Sequence, residues 1–201
     1  LNFMFHGRLG LSPRTQNTIY KFYAIVGHAN LNAMNIDTRG KSEISLRTSA
    51  DFRRTRTGDI FGDISLDNIV MQNNEGRYDI GEVKLTSVSK NETYRMWLKS
   101  AFANGTYTGS APVTEFVKDL GNITLKRELP SLFADAGYTW KGNRYNLDFE
   151  FENIQDVLAF VYPGLYIANN TTLNAKINDK GRLTGSLASQ RIALGSQFLK
   201  D

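Results

Sequence analysis

The chain has no cysteine, two histidines and four prolines in 201 residues. Without cysteine there is no disulfide framework, no thiolate metal site and no cysteine nucleophile. The absence fits an oxidising compartment such as the periplasm without requiring one. No apolar run approaches the roughly 20 residues that a membrane-spanning helix needs, and no secretory leader is recognisable. A Gly-x-Ser-x-Gly elbow, a phosphate-binding glycine loop and a zinc signature are missing too, so catalysis has no motif to rest on and the chain reads as no enzyme, with no cofactor. The net charge of +4 is compatible with anionic lipid nearby and too weak to argue for nucleic acid.

What is present is alternation. In Tyr94-Arg95-Met96-Trp97-Leu98-Lys99-Ser100-Ala101-Phe102 apolar and polar side chains take turns. A strand sends successive side chains to opposite faces, so Tyr94, Met96, Leu98 and Phe102 share one face and Arg95 and Lys99 the other, with Trp97 breaking the rule. The pattern recurs at 1–9, 17–26, more weakly at 30–36, then around Ile44, Leu46, Thr48 and Ala50, at 64–71, 78–88, 107–110, 136–140, 147–151, 165–168, 173–177, 183–187 and 192–194. The segment 53–62 is polar and punctuated by glycine, and reads as a loop. Turn chemistry separates the strands at Thr38-Arg39-Gly40-Lys41, Asn73-Asn74-Glu75-Gly76, Asn91-Glu92, Asn104-Gly105, Lys141-Gly142-Asn143 and Asn178-Asp179-Lys180-Gly181. Seventeen glycines against four prolines suit many tight turns.

The period changes at Pro112–Leu120, where Val113, Phe116, Val117 and Leu120 stand at i, i+3, i+4 and i+7, one stripe of a helix. Further short helices are expected at Leu129–Phe133 and Ile154–Phe160. The fold class is therefore mainly β, an antiparallel-rich sheet with one apolar and one polar face and short amphipathic helical inserts. No linker divides the chain, so residues 1–201 read as one segment. Because Leu1 already begins a strand, that segment is expected to belong to a longer protein.

Candidate sites are few. Asp148, Glu150 and Glu152 could serve glycoside hydrolysis or bind calcium, but their spacing is that of the outward face of a strand. His6 and His28 lie in separate segments without a partner ligand, so no metal is expected. Arg53, Arg54 and Arg56 form a basic knot beside Phe52. Arginine forks match phosphate oxygens, though a solvated loop is the simpler reading. The triplets Asn91-Glu92-Thr93 and Asn122-Ile123-Thr124 read as turn chemistry.

Ile64–Met71, Val83–Ser87 and Met96–Gly105 together resemble the strand units of TamB-like proteins from Bacteroidetes-type Gram-negative bacteria. Tyr162-Pro163-Gly164-Leu165-Tyr166-Ile167-Ala168-Asn169-Asn170-Thr171-Thr172-Leu173-Asn174-Ala175 is similar to another recurrent stretch of that family, as is Leu183–Leu194 with its Ser189-Gln190-Arg191-Ile192-Ala193-Leu194-Gly195 ending. The likeness spans residues 64–199 well and 1–50 loosely. It implies an envelope protein of the AsmA-like class, anchored in the inner membrane, crossing the periplasm to the outer membrane, and built as an elongated, folded-over β-sheet (a β-taco) with a hydrophobic interior groove. It implies phospholipid acyl chains as the cargo, an Omp85-type (TamA-like) outer-membrane protein as partner of the full-length protein, and a part in outer-membrane protein assembly.

The residues expected on the apolar surface, and hence in a lipid groove, are Phe22, Ile44, Leu46, Ile64, Leu66, Leu85, Met96, Leu98, Phe102, Leu147, Phe149, Phe151, Leu173, Ile177, Leu183 and Leu187. Two other readings share the alternation: an outer-membrane β-barrel, whose apolar face meets lipid outside, and an extracellular β-sandwich for adhesion or carbohydrate binding. The helical inserts and the lack of aromatic girdles argue against the barrel. Aromatic residues at inward strand positions argue against the sandwich.

Overall fold

The computed structural model describes residues 2–12, 17–55, 59–120, 140–195 and 197–199. The chain is mainly β, with 63% of residues in strands and two short helices. Ten strands form one antiparallel sheet: β1 (Asn2–Ser12), β2 (Asn17–Asn30), β3 (Ser42–Arg54), β4 (Ile60–Asn73), β5 (Arg77–Lys90), β6 (Thr93–Ser100), β7 (Ala103–Gly109), β8 (Tyr145–Phe151), β10 (Thr171–Ile177) and β11 (Leu183–Ala188). Their spatial order is their order in the chain, so nearly every neighbour is joined by a hairpin. A small second sheet pairs β9 (Leu165–Ile167), β12 (Ile192–Leu194) and β13 (Gln197–Leu199). The large sheet does not close into a barrel: β1 and β11 are its two edges.

Helix α1 (Val113–Asp119) follows β7, and α2 (Gln155–Val161) follows β8, as the change of period predicts. The helix expected at Leu129–Phe133, the strand at 136–140, the triplet Asn122-Ile123-Thr124 and Arg56 lie outside the described residues. Of the strand expected at 30–36 only Asn30, the end of β2, is in a strand, and 31–36 is a turn. Asn30 starts it: its side-chain oxygen accepts the Ala33 N–H at 2.8 Å and its carbonyl the Met34 N–H at 3.2 Å. A local polar side chain thus outbids the ladder.

Asn104-Gly105 is the interior of β7 rather than a turn. The β6–β7 turn falls three residues earlier, at 101–102, where the Ser100 hydroxyl accepts the Ala103 N–H at 2.9 Å and donates to the Ala103 carbonyl at 2.7 Å. Nor is 53–62 a long loop. β3 runs through Arg54 and β4 starts at Ile60, with Arg53 opposite Phe61 and Arg54 opposite Ile60.

A row of bulges crosses the first half of the sheet. The extra residue falls between Val26 and Ala29 on β2, between Leu66 and Val70 on β4, and between Asp79 and Gly81 on β5. His28 and Asn68 have φ of 52° there and Gly81 has φ of 78°. Each extra residue bends its strand and raises the local twist. Each also restores the alternation beyond it, which keeps Ala29, Ile69 and Ile80 buried.

Candidate functional site: the apolar face

Cross-strand register carries one set of side chains across the whole sheet. Phe5 stands opposite Ala24, Gly7 opposite Phe22 and Phe22 opposite Ala50, which faces Ile64, then Leu85, then Leu98. Leu98 faces Gly105, which faces Phe149, then Leu173, then Leu187. Parallel rows run through Met96, Tyr107, Leu147, Ala175 and Gly185, and through Gly109, Tyr145, Ile177 and Leu183. Fifteen of the expected residues therefore share one face: Phe22, Ile44, Leu46, Ile64, Leu66, Leu85, Met96, Leu98, Leu147, Phe149, Phe151, Leu173, Ile177, Leu183 and Leu187. Phe102 does not join them. It sits in the β6–β7 turn, its N–H near the Ser100 hydroxyl and its carbonyl accepting the Glu152 N–H, because β6 ends at Ser100.

Most of the large side chains on this face are half-buried, with the small Ala24, Ala50 and Ala103 sealed between them. At the edges it is open: Phe5 is 56% exposed and Leu187 54%. On β1–β3 it is paved with rings. Phe5 lies 5.5 Å from Phe22, Phe22 6.5 Å from Phe52, and Phe52 stacks on Tyr20 at 4.7 Å. Over β1–β3 no described element packs on this face; α1 covers part of it at β7, and α2 packs on β5 and β4.

α1 seats Phe116 on Tyr107 and Tyr145, and Val113, Leu120, Trp140, Leu147, Tyr94 and Met96 close around them. Phe116 meets Tyr145 edge-on at 5.2 Å. The helical stripe is not quite the one expected: Val117 is 63% exposed and Asp119 is fully buried. At 100° per residue, a short helix that centres Phe116 on the sheet brings position 119 underneath and turns 117 to the side. Asp119 accepts hydrogen bonds from the Tyr145 hydroxyl and, at 2.9 Å, from Asn143 Nδ2, while the Tyr107 hydroxyl donates to the Ala111 carbonyl. Burial pushes both tyrosine hydroxyls above their ordinary value, and the Asp119 carboxylate adds to it.

Tyr107 opens the strand expected at 107–110, whereas Tyr145 falls just ahead of the one expected at 147–151, although it keeps period two with Leu147, Phe149 and Phe151. Beside α1 the face holds a recess of about 100 Å³, lined by Ile60, Phe61, Ile64, Leu85, Met96, Tyr107 and Val113 among others.

The opposite face is largely polar, with Met4, Ile19, Tyr23, Val88 and Trp97 exposed on it. Lys21 meets Asp51 at 2.7 Å, and Thr86 donates to Asp63 at 2.6 Å. Two larger depressions, about 450 and 490 Å³, lie chiefly on this side. One is bordered by His6, Arg8, Lys21, Ser49 and Asp63, the other by Asn146, Asp148, Asn174 and Ser186. Asp148 and Glu150 are exposed there, and Glu152, past the end of β8, takes a hydrogen bond from Asn104 at 3.3 Å. His6 is exposed on β1. His28 occupies the β2 bulge, with its N–H on the Ser45 hydroxyl at 3.0 Å. Among the described residues no His, Asp and Glu cluster has the make-up of a metal site.

No protein-family model matches the chain, and no characterised protein or solved structure is detectably similar to it.

Proposed function

We propose that the chain is a segment of a TamB-like protein of the AsmA-like class, lying in the periplasm, whose apolar sheet face carries phospholipid acyl chains between the inner and outer membranes. On this reading the full-length protein works with an Omp85-type outer-membrane partner and supports outer-membrane protein assembly. The chain performs no chemistry of its own. The observation that carries the reading is the register: one apolar face runs through ten strands, and among the described residues most of its large side chains outside the part that α1 covers are only half-buried.

Burial of apolar surface stabilises by about 25 cal/mol per Å². An acyl chain moving from Phe149 to Leu98 to Leu85 exchanges one such contact for an equal one. The free-energy profile along the face is then nearly flat, which suits a conduit better than a site that holds its ligand. The polar face keeps the same sheet wetted on its other side.

A photo-crosslinking residue at Met96, Leu98 or Phe149 is expected to capture phospholipid in cells. The same residue at Lys99 or Glu150, on the polar face, is expected not to. Equal capture from both faces, or none from the apolar one, would sink the proposal.

A further inference from the structure

Sequence alone leaves Arg53 and Arg54 in a polar loop, whereas the ladder places them at the rim of the apolar recess. Arg54 pairs with Ile60 and Arg53 with Phe61, and both partners line that recess. The Arg53 guanidinium carbon lies 5.5 Å from the centre of the Phe61 ring. That ring in turn stacks on Tyr94 at 6.0 Å, a further wall of the recess. Register puts Arg54 on the apolar face itself, level with Thr18 and Ile60. Both arginines are exposed, and neither has an ion pair with another described residue. The one carboxylate in the lining, Asp59, is buried and hydrogen-bonded to the Thr55 hydroxyl at 3.4 Å.

An apolar slot with Arg95 in its lining, Arg53 stacked on its Phe61 wall and Arg54 one residue further along β3 is complementary to an amphiphile whose head is an anion. A guanidinium stays charged at any physiological pH, and its fork matches two phosphate oxygens at once. A zwitterionic head would bring its own cation against the arginines, so the match is to a phospholipid whose head carries net negative charge.

We propose that Arg53 and Arg54 hold the phosphate of an anionic phospholipid while the start of one acyl chain occupies the recess walled by Ile60, Ile64, Leu85, Met96 and Val113. Lipid on the face is thereby oriented, with its head at the α1 end of the sheet. This rests on the reading of the face as an acyl-chain track.

The test is binding of lysophosphatidylglycerol and lysophosphatidylcholine of equal chain length, both kept monomeric, to the purified chain by calorimetry. The anionic lipid is expected to bind about tenfold tighter, the scale of one charge-assisted hydrogen bond. Arg53→Gln/Arg54→Gln, at exposed positions and checked by circular dichroism, is expected to abolish that preference. Lys180→Gln/Arg182→Gln, on the exposed β10–β11 turn, is expected to retain it. Val113→Phe, which fills the recess, is expected to weaken both lipids. Equal binding of the two lipids, a preference that survives loss of both arginines, or undiminished binding to the Val113→Phe protein would overturn the headgroup seat and leave the acyl-chain reading standing. If neither lipid binds, that reading itself is overturned.

Discussion

Glycine on the apolar face marks where a neighbouring ring needs room. A Cβ added at Gly105 would lie 2.3 Å from the Phe149 ring, and one at Gly7 would lie 2.4 Å from Phe22 Cβ. The ring lies over bare backbone, covering a position that contributes no side chain of its own. Gly105→Ala is therefore expected to destabilise the fold by about 1–3 kcal/mol through overpacking. Adding Phe149→Leu should recover part of that, a coupling that urea titration of the double-mutant cycle reads directly. The buried tyrosines make a second case. A hydroxyl whose folded pKa lies above its unfolded value stabilises the fold fully below about pH 10. That contribution is lost as pH rises through the higher folded value. In a spectrophotometric alkaline titration, Tyr107 and Tyr145 should stay protonated while exposed tyrosines ionise, and should ionise only as the sheet unfolds. Tyr145→Phe should cost about 1–3 kcal/mol, because Asp119 loses a donor inside the core.

At the level of elements, α2 is tied to the sheet by a residue far away in sequence. Arg39, on the β2–β3 turn, donates to the Val161 carbonyl at 2.6 Å and to the Phe160 carbonyl at 3.0 Å. The last carbonyls of a helix have no partners within it, and a cation there also meets the negative end of the helix dipole. Asp37 holds the guanidinium in place with contacts of 2.8 Å, and the hydrogen bonds from Arg39 keep its carboxyl well below the usual carboxylate range. Asn73 adds a weaker tie to the Ala159 carbonyl at 3.4 Å. Arg39→Ala should speed hydrogen exchange across 155–161 while leaving α1 protected, since α1 rests on Phe116 and Asp119 instead.

For the whole molecule the decisive property is that the sheet is open. β1 is an 11-residue edge strand with Phe3, Phe5 and Leu9 more than half exposed. It contains no proline, and a long apolar edge of that kind is a template for another strand. The isolated chain is expected to self-associate in a concentration-dependent way, and Phe5→Lys, which puts a charge on the apolar side of the edge, should shift it toward monomer in sedimentation velocity. A charge placed mid-face acts differently. Leu98→Asp interrupts the apolar row between Leu85 and Phe149, and an unpaired charge against a passing acyl chain costs several kcal/mol. Folded protein at normal abundance should then show reduced lipid crosslinking and a weakened outer membrane.

Alternation alone told which residues share a face, because a strand's period of two is a matter of local geometry. It identified 15 residues of the apolar face and both helices at 112–120 and 154–160, where a period near 3.6 replaces it. It had no means of telling where a strand stops when two local signals compete. Ser100 closed a turn ahead of the more conspicuous Asn104-Gly105, leaving Phe102 off the ladder, and Asn30 wound 31–36 into a turn despite its apolar residues. The bulges at His28, Asn68 and Gly81 were equally silent, since one inserted residue leaves no compositional trace. Hydrogen-bonded register alone aligned them across neighbouring strands and carried the face intact from β1 to β11. The same register lifted Arg53 and Arg54 out of a supposed loop and set them at the edge of an apolar recess. That juxtaposition joins residues distant in the chain, from Arg53 to Val113, so only the folded sheet could make it.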